Sequence, residues 1–576
     1  MGSIEAITRI SLVLVYLFLF FIVVKPNVLA EDIIVTAEVQ GAISSCTAIT
    51  EPGDYILVSD LELIEESQYC VGIFTNNVVL DCQGHRIELL NQSIYSRGIE
   101  VAGDFGNVTI KNCIIKGFTE AGVFIGKDNW DIVVRNVTVN DSRTAVQIGD
   151  GHHRNIDIDY INVYNSTFSA LNLCAGNTTL SNIMVSNVYA EGNGSTEIFG
   201  IRIECPSNNV TIRDSTFRNF VKAMEVSINN SLIYNNTIIK DIPLEEWESR
   251  IKIMGSENTT IAKNKIYSDG YGSAIWLCCP GSNNVTIEEN EIINISYAID
   301  GSSVGVNIRN NYIVAKVVGI QFYRFDVYEV RDIVVEGNII IHKLGDYGYC
   351  MGYFDVENIL IRNNTLIEEN LYPDGEAFIF GAPLRNISIV DNNITADVLA
   401  VLHVMYGYQN VSIENVIACN NDVTFNTSWR VREPYFKDRG GYLVNVMRIE
   451  SSSCEPYLST TFNYNAIDFG AVYPYNTYDV VGTMQIDSNM INITFSVNGT
   501  DLISDEDVIP STNIQFSPSK YLEFPTTLIP IESIVKYVFY YLPNEFNNIV
   551  ENLFRFSVPL VRPGVYSGTI TVEVSI

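Results

Sequence analysis

Asp150, His152, His153, Asp157 and Asp159 are the nearest thing to a catalytic group in this 576-residue sequence. Asp157 and Asp159 lie two positions apart, so in a strand they project from one face, and paired carboxylates beside imidazoles suit general acid–base work. A solvated loop and a polar strand face account for the same residues. A second group is aromatic: Tyr323, Arg324, Phe325 and Asp326, then Tyr353, Phe354 and Asp355, then Tyr406 and Tyr408. Phe325, Phe354 and Tyr406 fall at equivalent offsets from the start of successive short strands. Stacked rings with carboxylates alongside form a platform for sugar rings, and Asp326 and Asp355 would be its acids if the platform cleaved its ligand. The same rings also suit covering a loop or docking the C-terminal part. Only five histidines are present (His85, His152, His153, His342 and His403), in no array with Met or Cys of the kind copper needs, so no metal site is expected. Cys174, Cys205 and the pair Cys278-Cys279 each follow a short strand and would stack along one edge, as a soft-metal line, as disulfides between neighbouring coils, or as buried thiols.

The elements that carry these residues are set by compartment and by repetition. Asp+Glu number 67 against Lys+Arg 35, a net charge of -32, which disfavours nucleic acid as a partner. At 47% hydrophobic and 18% charged residues, the chain has the material for a packed core. Arg9 precedes an apolar run from Ile10 to Val24, then Lys25, Pro26 and the small-residue end Val28-Leu29-Ala30. Residues 1–30 read as a signal peptide cut after Ala30, or as an N-terminal anchor if kept, although the run is short of the roughly 20 residues a membrane span needs. The expected location is therefore secreted or cell-surface, with membrane contact only through that segment. Sequons agree with export, among them Asn91, Asn107, Asn136, Asn165, Asn209, Asn284, Asn386 and Asn492, although an Asn- and Thr-rich repeat also generates them by chance. All 11 cysteines lie beyond the signal segment, and Cys46 with Cys70, flanking one short segment, is the preferred bridge.

One phrase recurs: NVTIKN from Asn107, NTTLSN from Asn177, NVTIRD from Asn209, NVTIEEN from Asn284, NISIVDNN from Asn386 and others, fourteen copies between residues 77 and 410. Each copy is followed by a short apolar strand, such as AGVFI from Ala121, TAVQI from Thr144, SALNL from Ser169, FGIRI from Phe199, SAIWL from Ser273 and VGIQF from Val318. The internal period is two, so each unit is a set of short strands, and units this small bury an apolar face only by stacking. The reading is all-β: a parallel β-helix of about fourteen coils over 76–425, after a cap at 31–75, with 426–454 as linker or C-terminal cap. The Asn after each strand (Asn112, Asn136, Asn182, Asn236, Asn264, Asn290, Asn311, Asn338, Asn364 and Asn393) is expected at a left-handed turn, bonding to the Asn one coil away.

The run from Cys46, with Pro52, Gly53 and Tyr55, and then C-V-G-I-F-T-N-N-V-V-L-D-C-Q-G-H-R-I from Cys70, resembles the start of exported archaeal and bacterial right-handed parallel β-helix proteins. That group includes the periplasmic copper-accessory (NosD-type) proteins and the carbohydrate-binding and sugar-hydrolase β-helices. The resemblance covers residues 46–425 and implies right-handedness. It leaves activity open, since such proteins include lyases, hydrolases, epimerases and inert stalks. Cys82, where the pattern often has Gly, implies an extra sulfur contact. Arg250-Ile251-Lys252 resembles the R-I-K of polygalacturonases, without the paired aspartates and G-H-G that accompany it there.

After Trp429 the phrase ends and Tyr, Phe, Pro and Thr take over. Residues 455–576 read as an antiparallel β-sandwich, with the ending from Phe556 as two strands joined by a Pro-Gly turn and resembling Ig-like envelope modules. The functional expectation is an exported β-helix protein with a structural or glycan-binding role, its partner a polysaccharide or an envelope glycan or protein, and no cofactor required. The alternatives are a polysaccharide lyase or glycoside hydrolase, with calcium if a lyase, and, further off, a copper-accessory protein.

Overall fold

The computed structural model describes residues 39–576 except 65–66, 92–94, 175, 193–197, 242–247, 325–328, 344–347, 370–375, 397, 404–411, 426–441, 447–450, 489, 491, 506, 518–528, 531–532, 539–548 and 576. The signal segment, Phe325, Asp326, Tyr406 and Tyr408 lie outside the described residues, as does the side chain of Cys279. Among the described residues, no helix is long and apolar enough to cross a membrane.

Strands stack in parallel from Thr47–Ile49 onward, each pairing with the next turn of the chain, through about thirteen turns. The phrase that recurs in the sequence is one rung: Val108, Val134's neighbour Ile132, Ile156, Ile183 and Val210 stand in one register. Alternation puts one residue of each pair inside, so Ile and Val from every rung form a single continuous core while their neighbours face outward. Gly53–Leu57 and Leu61–Leu63 pair with Val78–Asp81 and Arg86–Leu89, so the segment around Cys46 is itself a coil.

The expected Asn positions separate into two classes. Asn112, Asn136 and Asn182 take positive φ (57°, 51° and 55°), and each side chain amide donates to an acceptor one coil earlier, at Asp81, Asn112 and Asn155. Asn236, Asn264, Asn290, Asn311, Asn338 and Asn364 instead lie inside the coil, continued by Asn392 and Asn421. From Asn264 onward each Oδ1 accepts both the backbone N–H and the Nδ2 of the Asn before it, at 2.9–3.0 Å between Asn290 and Asn311. Asn392, and not the exposed Asn393, continues this column: it follows the left-handed Asp391 (φ 57°) just as Asn364 follows Asn363 (φ 54°).

Disulfides join Cys46 to Cys70, Cys82 to Cys113, Cys174 to Cys205 and Cys419 to Cys454. Three of them tie neighbouring coils, and Cys82 makes the extra sulfur contact as a covalent one. Beyond residue 455, Leu458–Phe462, Thr477–Ser488, Ile549–Ser557, Ile514–Ser517 and Ile529–Pro530 form one antiparallel sheet. Ser533–Val538, Asn492–Gly499 and Ile570–Ser575 form another. Met484, Ile486, Val497, Phe516, Phe554 and Phe556 pack between them. The ending from Phe556 is not a hairpin: Ser557 pairs with Thr477, whereas Ile570–Ser575 pairs with Asn492–Gly499 in the other sheet.

Candidate functional site

The structure divides the Asp150–Asp159 group. Asn155 has positive φ (56°) and turns the chain, so His152 and Arg154 lie on one side of the corner and Asp157 and Asp159 beyond it. His153 points inward, buried, with Nε2 3.1 Å from the carbonyls of Gly149 and Asp150, and burial depresses its protonation. Asp159 is buried enough to raise its pKa, yet Asn187 and Ser186 donate to Oδ1 at 2.7 and 2.8 Å and Arg135 lies 3.0 Å away, which together hold it below the usual range. Asp157 is raised, by burial first and by Asp159 second. Asp159 is thus saturated by its neighbours, and the pair has no imidazole on its face.

Of the aromatic group, the described residues Tyr323, Arg324, Phe354 and Asp355 lie on adjacent rungs. Tyr323 stands in register with Phe354, the backbone N–H of Arg324 donates to the Phe354 carbonyl at 3.1 Å, and Arg324 reaches Asp355 at 3.5 Å. The Phe354 ring lies against Gly381, where an added Cβ would sit 2.2 Å from its Cδ1. Tyr353 is a correction: it is in register with Phe322 and Phe380, fully buried in the core and stacked on Phe380, because the strand alternation that turns Phe354 outward turns Tyr353 inward. Phe354 is therefore paired with Tyr323, not with the offset position of Phe325.

Tyr323, Phe354 and Asp355 are one end of a longer surface that sequence reasoning missed. Glu100, Phe124, Gln147, Asn172, Arg202, Glu225, Lys252, Trp276, Asp300 and Gln321 stand one above another in unbroken parallel register. Each is flanked by core residues, such as Ile99 and Val101 or Ile275 and Leu277, so the row faces out of the coil. At ~4.8 Å per rung the eight steps from Glu100 to Asp300 extend roughly 40 Å. The signal was present in the short strands themselves: in AGVFI, TAVQI, SALNL, FGIRI and SAIWL the fourth residue is the one that breaks the small or aliphatic run.

Cations on this face are matched by acids and rings. Arg97 holds Glu120 through Nε and Nη2 (2.5 and 3.0 Å) and Glu100 through Nη1 (2.8 Å), with its guanidinium 3.6 Å from the Phe124 ring centroid. Lys252 donates to Glu225 at 2.6 Å and lies 5.3 Å from the Trp276 ring. Arg202 pairs with Glu204, and Lys222 with Glu248. The same cations lie against the rings of Phe124, Phe199 and Trp276 and restrict their motion.

Several polar atoms on the row have no partner although they are shielded: Glu100 Oε2, Asn172 Oδ1, Arg202 Nε and Asp300 Oδ1. A buried acceptor left unpaired costs about 1–3 kcal/mol, so this surface carries stored demand for donors. Asp300 is 1% exposed, and burial pushes it up to about 6 against the opposing effect of Ser273, whose Oγ donates to Oδ2 at 3.1 Å. Glu225 and Asp300 are three rungs apart, about 14 Å, beyond the ~5–10 Å of a glycosidase carboxylate pair. Among the described residues, no three His, Cys, Asp or Glu side chains are grouped to hold a metal ion. Arg250 of the R-I-K run lies inside the coil, while Lys252 is on the outward row.

A family model described as "Right handed beta helix region" matches residues 200–331. Among solved structures, the A-module of Azotobacter vinelandii mannuronan C-5 epimerase AlgE6 aligns at 12% identity over 65% of this chain and 91% of that one, with a TM-score of 0.34. A double mutant of the tailspike protein of E. coli bacteriophage HK620 aligns at 10% identity over 88% and 87%, TM-score 0.38. The same tailspike in complex with a pentasaccharide aligns at 11% identity over 91% and 86%, TM-score 0.34. The comparison with curated proteins returns no match.

Proposed function

We propose that the chain is an exported β-solenoid that binds an extracellular glycan along the outward row from Glu100 to Gln321, extended by Tyr323 and Phe354. The observation that carries the reading is the set of shielded, unpartnered acceptors at Glu100, Asn172 and Asp300 interleaved with fixed rings at Phe124 and Trp276. Acceptors call for hydroxyl donors, and rings call for the apolar faces of sugars. The cations are already neutralised by Glu120, Glu204, Glu225 and Glu248, so the face suits an uncharged, hydroxyl-rich glycan. The wide spacing of Glu225 and Asp300 favours binding over hydrolysis. Four disulfides fit a life outside the cytoplasm, and the two C-terminal sheets would serve as the docking module of an envelope assembly. Copper loading draws no support from the sulfur residues, since Cys174 and Cys205 are joined to each other.

Calorimetry of residues 31–576 against neutral and acidic polysaccharides, with reducing and unsaturated ends recorded, tests this. A neutral glycan should bind without product, and Trp276→Ala should weaken it at least tenfold. Unchanged affinity in that variant would remove the row from the function. Product that disappears in Asp300→Asn would replace recognition with hydrolysis.

A further inference from the structure

A separate cleft of about 400 Å³ lies on another side of the coil, within the usual size range of small-molecule sites. Its lining follows the rungs. His152 and Arg154 stand two apart on one strand, Thr179 and Ser181 occupy the same places one coil on, and Asn208 and Asn229 continue from Ser181. A register shift between Ile203 and Ser207, next to the Cys174–Cys205 bridge, pushes Pro206 out as the wall.

The chemistry here is the reverse of the row. Among the described residues no Asp or Glu lines the cleft, in a chain of net charge -32. Arg154 is exposed and makes no ion pair with a described carboxylate, unlike Arg97, Arg135 or Arg202. Asn208 Oδ1 already accepts from Asn230 Nδ2, and Asn229 Oδ1 from the Glu257 N–H, both at 2.8 Å, so these amides have N–H left to offer. His152 Nδ1 is engaged by the Thr179 hydroxyl, which leaves Nε2. The acids on the flanking turns are occupied: Asp128 Oδ1 accepts the His152 N–H at 2.6 Å, Asp131 Oδ1 the Asn155 amide at 2.7 Å, and Asp150 Oδ1 the Asn177 N–H at 3.1 Å. Spare donors around an unpaired guanidinium, with hydroxyls beside them, match a carboxylate carried on a hydroxylated body.

We infer that this cleft binds an acidic sugar unit, its carboxylate on Arg154 and its hydroxyls on the Ser181, Asn208 and Asn229 side. The site is independent of the glycan-binding row. Calorimetry or saturation-transfer NMR on residues 31–576 with methyl glucuronoside, methyl glucoside and inorganic phosphate tests it. The expected result is binding of the glucuronoside alone, weakened at least tenfold by Arg154→Gln and by added salt, and untouched by Trp276→Ala. Arg154 is exposed, so an unchanged melting temperature in Arg154→Gln separates loss of ligand from loss of fold. Equal binding of glucoside and glucuronoside, or full affinity in Arg154→Gln, overturns the inference. Equal binding of phosphate and glucuronoside overturns the sugar assignment and leaves a bare anion site.

Discussion

Asp300 shows how one side chain records both the fold and the site. Its neighbours along the strand are the core residue Ile299 and the buried Gly301, its own carboxyl faces the row, and burial lifts it from 3.8 to about 6. A raised acid favours the protonated folded state. Stability is therefore intact below the ordinary value near 3.8, falls as pH rises from there to about 6, and is level above it. The shift corresponds to about 3 kcal/mol. Asp300→Asn should remove that slope, and denaturant midpoints between pH 4 and 7 for the two proteins check it. Parallel curves for both would show that Asp300 titrates as an ordinary surface acid. Glu100 is raised in the same direction by burial, with Arg97 opposing.

At the scale of the element, the inner Asn column does what strand hydrogen bonds cannot do at a corner. Asn311 donates from its backbone to Asn338, and from Nδ2 to the Ile287 and Arg309 carbonyls and to Asn338, while its Oδ1 accepts from Asn290. Asn311→Leu fills the volume but strands these partners in a dry interior. A loss of about 2–4 kcal/mol is expected, with faster amide exchange in the rungs of Asn290 and Asn338 ahead of distant ones. Exchange that rises uniformly along the chain would contradict this nearest-neighbour picture. Arg250 works in a related way, donating to the carbonyls of Val221, Glu248 and Tyr271 and to the Ser268 hydroxyl, and so braces adjacent coils.

At the scale of the whole molecule, a solenoid is weakest where it has a neighbour on one side only. Two of the four disulfides, Cys46–Cys70 and Cys82–Cys113, secure the first coils, and Cys419–Cys454 ties the last ones. Loops of 24, 31 and 35 residues are closed by these bridges, each contributing about 3–4 kcal/mol in the chain-entropy account. Reduction should lower the melting temperature and open the coils near Cys46 and Cys419 to proteolysis before those near Ile299. Cleavage that begins in the middle of the rod would show that the bridges are not what holds its ends.

The repeat, the parallel stacking and the Cys46–Cys70 bridge were legible in the sequence, because a two-residue period and a recurring N-x-T-I phrase admit few ways to bury their apolar side. Which Asn turns the corner and which fills it was not, since both follow a strand and differ only by one position, as the left-handed Asn310 and the buried Asn311 show. The candidate site was hidden for a related reason. Tyr353 and Phe354 are equivalent in composition, and strand alternation alone sends one to the core and the other outward. Glu100, Trp276 and Asp300 are 200 residues apart end to end and meet on one row because the chain returns to the same register at every turn. Composition and period dictated the coil; tertiary register decided which side chains share a face, and with it the chemistry that face can perform.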